Sequence, residues 1–403
     1  MTVKTLLVLA GAAICCASCV STRENQADGK DAEYIKLFQE KLKRSAPVPT
    51  LEEYASPARY DQLFMGGSLK KAFENVSNDT GGLAWGLSYR MASLNNMYRV
   101  TGDVKYLQAN LDCVRAVAAA TDDKRGKKLW TGAIAKAWGC DKYAPDRGRA
   151  VFAVHTGIIA HPILDFLLLA KQEEDTLASL LDDRDELLAT AQAALAFHDP
   201  QWREGPGKGE GHYIGLNQEP VCDDKPLPGN RLSAMGQALW VSWKLTGNET
   251  HRDRARAIGR YIKNRVTPSP DRAYYWPYWL PEERVSGRAP AGAFGAEDTS
   301  HAGLTLALPI MLAAEGEVFT RKDMVRFGNT VVKGFGRLGD GVLWGNIAGT
   351  GGMSPRYIGN PAKYLALARY VPEVRDIVVA FYLNYRPTPQ PNDLAQLLMY
   401  AGD

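Results

Sequence analysis

From about Ser68 onward, apolar residues recur every three to four positions. In GLAWGLSYRMASLNNMYRVTGD they fall at Leu83, Leu87, Met91, Leu94 and Met97 or Tyr98, which share one face of a helix. Gly102 supplies a stop, and VKYLQANLDCVRAVAAA begins an antiparallel return. The design recurs. Arg231–Asn248 is followed by ETHRDRARAIGRYIKNRV, and His301–Glu317 by VFTRKDMVRFGNTVVKGFGRL. The stops VTGD, LTGN and AEGE, around Gly102, Gly247 and Gly316, occupy equivalent places. Repeated long-helix hairpins predict an all-α fold, an (α/α) toroid with inner helices lining a cleft, built as an incomplete or closed barrel of about six or seven pairs. An open helical solenoid is the plainer alternative. Long Gly/Pro-rich loops, Glu204–Gly229, Leu280–Gly295 and Gly334–Gly359, each adjoin a hairpin end. That placement gathers them on one face of a toroid, where loops of such length are usually functional.

Composition narrows the class only a little. The 403 residues are 45% hydrophobic and 23% charged, ordinary for a globular chain, and the net charge of +3 gives no argument for nucleic acid. The N-terminus says more. Lys4, the short apolar run LLVLAGAAICC and small residues beyond it read as a secretory leader over 1–19, too short to span a bilayer as a stable helix. CASC, ending at Cys19, resembles a lipoprotein cleavage box with Cys16 in place of the usual leucine. Lipid on Cys19 would tether an exported protein, periplasmic or attached to the outer membrane, through a polar spacer over 20–35. No linker divides the remainder, so 36–403 is read as one catalytic-size domain. Beyond Cys19 stand Cys113, Cys140 and Cys222. One bridge is allowed, with Cys113–Cys140 the nearest pair in sequence, but spacing alone does not assign it.

Several familiar chemistries have no motif here. There is no HExxH, EF-hand loop, Walker loop or GxSxG elbow. His155 and His161 are six apart, on different sides of a helix, so no metal and no cofactor is called for. Four polar and aromatic islands remain. FAVHTGIIAHP places His155 in an apolar helix, where a core histidine is an equal reading. GHYIGLNQEPVCDDKPLPGNRLSAMGQ supplies His212, Tyr213, Asn217 and Glu219, then Asn230 and Arg231, with Asn230 a plausible N-cap. DRAYYWPYW, with five aromatic residues in nine, supplies Arg272, Tyr275, Trp276, Tyr278 and Trp279. GAEDTSHAGL brings Glu297, Asp298 and His301 to the start of an inner helix, where Asp298 or Thr299 is suited to capping. There the positive end of the helix dipole opposes protonation of His301, leaving a neutral imidazole available. Trp85, in the first hairpin, is counted with the rings that face a sugar.

These residue types suit β-elimination on an acidic polysaccharide or oligosaccharide. Asn and Arg can neutralise a uronate carboxylate and so acidify C5–H, and a tyrosine beside an arginine can carry the proton. Hairpins ending in TGD or TGN, then NRLSAMGQAL, YYWPYW and EDTSHAGL, make Gly81 to Asn346 resemble the (α/α)-barrel polysaccharide lyases, family 38 above all. The resemblance implies an (α/α)7-type barrel and a metal-independent alginate or glucuronan lyase. It gives Tyr278 as base and acid, Arg272 favouring its phenolate, Asn230 or Arg231 neutralising the carboxylate, and His155 or His301 assisting. Trp276, Trp279, Trp85, Tyr213, His212, Glu219 and Glu297 would then bind substrate. Two other classes compete. One is a glycoside hydrolase on the same toroid, with Glu219, Glu297 and Asp298 as candidate carboxyls; the other is a non-catalytic glycan-binding surface lipoprotein. A uronate C5-epimerase would share the first proton abstraction.

Overall fold

The computed structural model describes residues 47–144, 148–173, 177, 181–216, 224–281, 295–350, 352, 360–386 and 388–402. The expected leader, tether and lipid site, together with Asn217, Glu219 and Cys222, lie outside them. Residues 42–403 form one compact unit.

Short helical turns, Leu51–Tyr54 and Gly67–Ala72, flank α1 (Pro57–Phe64); α2 (Ser88–Thr101), led in by a π-helical turn, Leu83–Leu87, and α3 (Lys105–Ala118) follow. They are followed by α4 (Ala153–Gln172), α5 (Arg184–Ala196), α6 (Gly229–Thr246), α7 (Glu249–Lys263), α8 (Thr299–Ala314) and α9 (Arg321–Asn329). A 3-10 segment, Pro361–Arg369, precedes α10 (Glu373–Tyr385) and α11 (Pro391–Tyr400). Gly102, Gly247 and Gly316 all take positive φ at the expected stops, the conformation that glycine adopts without a Cβ clash.

Neighbouring elements settle the architecture. α2 packs on α4, α4 on α6, α6 on α8, α8 on the 3-10 segment, that segment on α11, and α11 back on α2. Among the described residues the inner ring therefore closes with six members, within the six or seven expected of the toroid and one fewer than the lyase resemblance implies. Outside it, α3 backs α2, α5 backs α4, α7 backs α6, and α9 and α10 back the 3-10 segment, while α1 lies against α11. Outer and inner helices differ as burial requires. α7 buries Ala255, Ile258, Tyr261 and Ile262 and shows charged residues elsewhere, whereas α4 is apolar nearly all round. α4 is long and apolar enough to cross a membrane, but 89% of its apolar window is buried inside the ring.

Close approach between inner helices depends on small residues. A Cβ on Gly157 of α4 would stand 2.4 Å from the backbone carbon of Ala234 in α6. Three short hairpins decorate the loops: β1 (Trp202–Glu204) with β2 (Gly211–Tyr213), β3 (Thr267–Pro268) with β4 (Tyr274–Tyr275), and β5 (Gly336–Arg337) with β6 (Val342–Leu343). Cys113 and Cys140 are both buried free thiols, donating to the carbonyls of Ala109 and Asp79 respectively, so the permitted bridge does not form.

Candidate active site

Because each inner element is reached from an outer one, the inner elements run parallel and their N-termini meet at one mouth. Side-chain contacts trace that mouth around the ring. Trp85, ahead of α2, stands edge-on to His155 in the first turn of α4, ring centroids 5.5 Å apart. The Arg231 charge, in the first turn of α6, acts on His155. Gly229 of α6 approaches Thr305 of α8, and Tyr364 Oη donates to the Thr299 carbonyl at 2.5 Å. Lys363 Nζ, finally, lies 3.3 Å from Tyr89 Oη and 4.5 Å from the centre of that ring, returning to α2. The described ends of the loops after the outer helices, 224–228, 295–298 and 360, lead into α6, α8 and the 3-10 segment.

The stretch DRAYYWPYW divides its rings between inside and outside. Tyr274 Oη donates to Asp323 at 2.8 Å, and Tyr275 Oη to Asp271 at 3.3 Å. Trp276 is fully buried, its Nε1–H donating to the Glu297 carboxyl, so it presents no stacking face to a sugar. Tyr278 and Trp279 emerge at the rim. Trp279 is 38% exposed, as is Trp85. Backbone pairing explains the placement: Pro277 bridges Ala296, and Asp298 bridges Asn346. The strand-like strip Ala296–Thr299 is thereby held between the aromatic stretch and Gly345–Ile347, and it delivers Asp298 and His301 beside Tyr278.

Asp298 is the N-cap of α8. Its Oδ1 accepts the backbone N–H of Ser300 and His301 at 3.0 and 3.1 Å, while Oδ2 is 2.5 Å from His301 Nδ1. One carboxylate thus caps the helix and orients the imidazole. With Nδ1–H given to Asp298, the neutral ring keeps its lone pair on Nε2. Asp298 is thus a partner of His301 in addition to the helix dipole. Tyr278 meets the same ring at a centroid distance of 5.0 Å. His301 and Asp298 are half-buried, open enough to meet a ligand.

His155 differs. It is buried among Trp85, Tyr143 and Phe152, and burial first, then Arg231, lower its pKa to about 3. Its Nδ1 receives a hydrogen bond from Asn78 Nδ2 at 3.1 Å. Asn78 carries no sequence motif and its importance is visible only here, 77 positions away from the histidine. Gly81, at φ 80°, lets Tyr143 close over the site, since a Cβ there would stand 2.9 Å from that ring. The loop bearing Tyr143 is anchored by ions. Buried Arg149 makes paired bonds to buried Asp122 and also reaches Asp79 and Asp141, and Arg125 clasps Asp79.

Other expected site residues sit elsewhere. Arg272, at positive φ in the β3–β4 turn, is exposed, and no hydrogen bond, ion pair or ring contact among the described residues joins it to Tyr278. Tyr213 is fully buried beside Trp202, and His212 stacks on Tyr261 at 4.7 Å with Arg265 nearby; neither faces the mouth as a sugar contact. Glu297 is sealed, with Thr305 Oγ1 at 2.9 and 3.0 Å, and its pKa is raised by burial. Asn230 lies inside the first turn of α6, with Pro228 as the cap, and its buried Oδ1 has no partner. Among the described residues no group of three His, Cys, Asp or Glu is arranged for a metal ion.

No protein-family model matches the chain, and no curated protein does. Solved structures do. A D-mannose isomerase aligns with a TM-score of 0.52 at 11% identity, over 94% of this chain and 99% of the other. An inactive variant of the α-1,6-mannanase GH76A of Salegentibacter sp. HEL1_6, in complex with α-1,6-mannotetrose, aligns with a TM-score of 0.51 at 14% identity, over 88% and 99%. The fold is an (α/α) toroid. At such identities the likeness is one of fold. It corrects the lyase expectation nonetheless: the structures this chain resembles are a glycosidase and a sugar isomerase, neither of them a lyase. The Arg272–Tyr278 partnership on which a tyrosine base rested is also not made. The resemblance to lyase family 38 holds for the barrel and not for the β-elimination, nor for alginate or glucuronan lyase activity.

Proposed function

We propose that the protein is a carbohydrate-active enzyme that moves a proton on a sugar, as an isomerase or epimerase does. The observation carrying this reading is the Asp298–His301 dyad at the mouth of the ring, beside Tyr278. A sugar in its open-chain form has a C–H next to its carbonyl, and an imidazole near neutrality suits its removal and return. His301 Nε2 takes that proton to leave an enediol and returns it to the neighbouring carbon, the hydroxyl proton of the carbon that lost it passing to the former carbonyl oxygen, while a hydrogen-bond donor holds that oxygen. Epimerisation follows when the enediol turns its other face to the same imidazole. Trp85 and Trp279 are rim surfaces for the ring form. A paired-carboxylate hydrolysis finds less support. Among the described acids near the mouth, Glu297 is sealed, Asp79 is clasped by two arginines, and Asp298 is committed to His301.

An acidic sugar is part of the proposal. Lys363 is half-buried, its ammonium set on the Tyr89 ring with buried Asp393 within electrostatic range, and the Arg231 charge acts on His155. Export, with lipid on Cys19, completes it. Loss of palmitate labelling in Cys19→Ser checks that step.

The decisive experiment incubates the purified protein in deuterated water with neutral and uronate-bearing reducing sugars. Isomerisation or epimerisation writes deuterium onto carbon and yields a new sugar, and Asp298→Asn lowers kcat by about 100-fold. Release of reducing ends from an oligosaccharide, with no deuterium at carbon, replaces this reading by glycoside hydrolysis.

A further inference from the structure

The two histidines at the mouth are held through the same ring atom, Nδ1, by partners of opposite kind. Asp298 can only accept, so it draws the His301 proton to Nδ1. Asn78 meets His155 with an amide whose orientation is fixed by the backbone. Its Oδ1 accepts the Ala84 N–H at 3.2 Å, and its Nδ2 donates to the Trp138 carbonyl at 3.0 Å as well as to His155 at 3.1 Å. Turning the amide over would set Oδ1 against that carbonyl and Nδ2 against that N–H. Asn78 therefore donates, His155 Nδ1 accepts, and the ring proton sits on Nε2. That nitrogen has no partner among the described residues, yet it is not one of the sealed, unpaired polar atoms.

We infer that Asn78 is a positioning residue that locks His155 as an Nε2–H donor, complementary to the Nε2 lone pair of His301. His155 then supplies the hydrogen bond that polarises the sugar oxygen, and His301 supplies the base. A neutral donor suits this task because it polarises the oxygen without carrying a charge into the buried site. Burial and the Arg231 charge keep the ring neutral at working pH. The Arg149–Asp79 ion pair, 2.8 Å, holds the residue next to Asn78 and so fixes the lock in place. This role rests on the proton-transfer reading above; the tautomer itself does not.

Nitrogen-15 labelling of the six histidines in the full chain, read by ring proton–nitrogen correlation spectra without substrate, tests it. The His155 signals are assigned by their loss in His155→Gln. Wild type is expected to show an unprotonated Nδ1 and a protonated Nε2. Asn78→Asp presents an acceptor instead, moves the proton to Nδ1, and lowers kcat by about 100-fold while KM stays within about threefold. Asn78→Ser, a smaller change, is the second variant should the aspartate not fold; it is expected to show both tautomers and an intermediate kcat. A protonated Nδ1 in wild type overturns the lock. So does an unmoved proton in folded Asn78→Asp. Inversion of the tautomer with unchanged kcat overturns its role in the reaction, and absence of any sugar isomerisation beside an intact tautomer would fault the proposed function alone.

Discussion

Glu297 and Asp298 are adjacent in sequence, yet the strip that carries them turns one inward and the other toward the mouth. Glu297 is sealed by Trp276 and Thr305, and burial holds its pKa well above the usual carboxylate value. The sign of the consequence is definite. Above about pH 4.5 the unfolded chain ionises this group while the folded chain retains the proton, so stability falls as pH rises toward the folded value. Glu297→Gln, which is neutral and keeps an acceptor for both donors, should be close to wild type near pH 4.5 and more stable at pH 8, by about 1 kcal/mol or more in urea unfolding. A gain that shrinks with rising pH would contradict a neutral Glu297. His155 works the other way. Its depressed pKa means that the unfolded chain takes up protons below about 6.5 while the folded chain does not, down to about 3. This histidine therefore costs the fold stability between those values, about 1.4 kcal/mol for each pH unit. His155→Gln should make the thermal midpoint less sensitive to acid between pH 6.5 and 4, and an unchanged slope would count against it. At this scale the sequence names many of the right residue types but not their directions. DRAYYWPYW shows five rings, and only the β3–β4 hairpin and the Pro277–Ala296 bridge decide that Trp276 turns in and Trp279 turns out.

Elements were legible where their signals are local. Gly102, Gly247 and Gly316 end helices because a left-handed residue is needed at each point, a requirement that travels with three or four residues of sequence. Asp298 as an N-cap is local in the same sense. The clamp of Arg149 with Asp122, Asp79 and Asp141 is not, since it joins residues as much as 70 positions apart across a loop without regular structure. It is the feature that carries the mouth loop. Arg149→Met leaves the buried Asp122 carboxylate without its partner and should destabilise the protein by about 3–5 kcal/mol, read as a shift of the denaturant midpoint. A shift under about 1 kcal/mol would mean the clamp is solvated. The contact between α4 and α6 is a second element-scale feature. Gly157→Ala places a methyl into the backbone at Ala234 and Met235, where no side chain can turn aside. A loss of about 1–3 kcal/mol or more is expected in the same measurement.

For the molecule as a whole, helix pairing and the toroid follow from periodicity, but the number of inner members does not, because one of them is irregular. Pro361–Arg369 is a 3-10 segment with no long apolar stripe to announce it, and it still occupies a full place in the ring between α8 and α11. Closure then falls to α11 and α2. α11 seats between that segment and α2, and Tyr54 Oη donates to the Arg386 carbonyl at 2.6 Å, tying the first part of the described chain to its last. A chain ending before Pro391 should therefore lose the cooperative unfolding transition and expose apolar surface to a hydrophobic dye, rather than behave as a slightly smaller version of the same protein. This has a bearing on manufacture in the cell. A ring sealed by α11 stays open until that helix is in place, so the inner faces of the elements that precede it remain exposed while the chain folds. The mouth comes into being in one step, when α11 locks against α2.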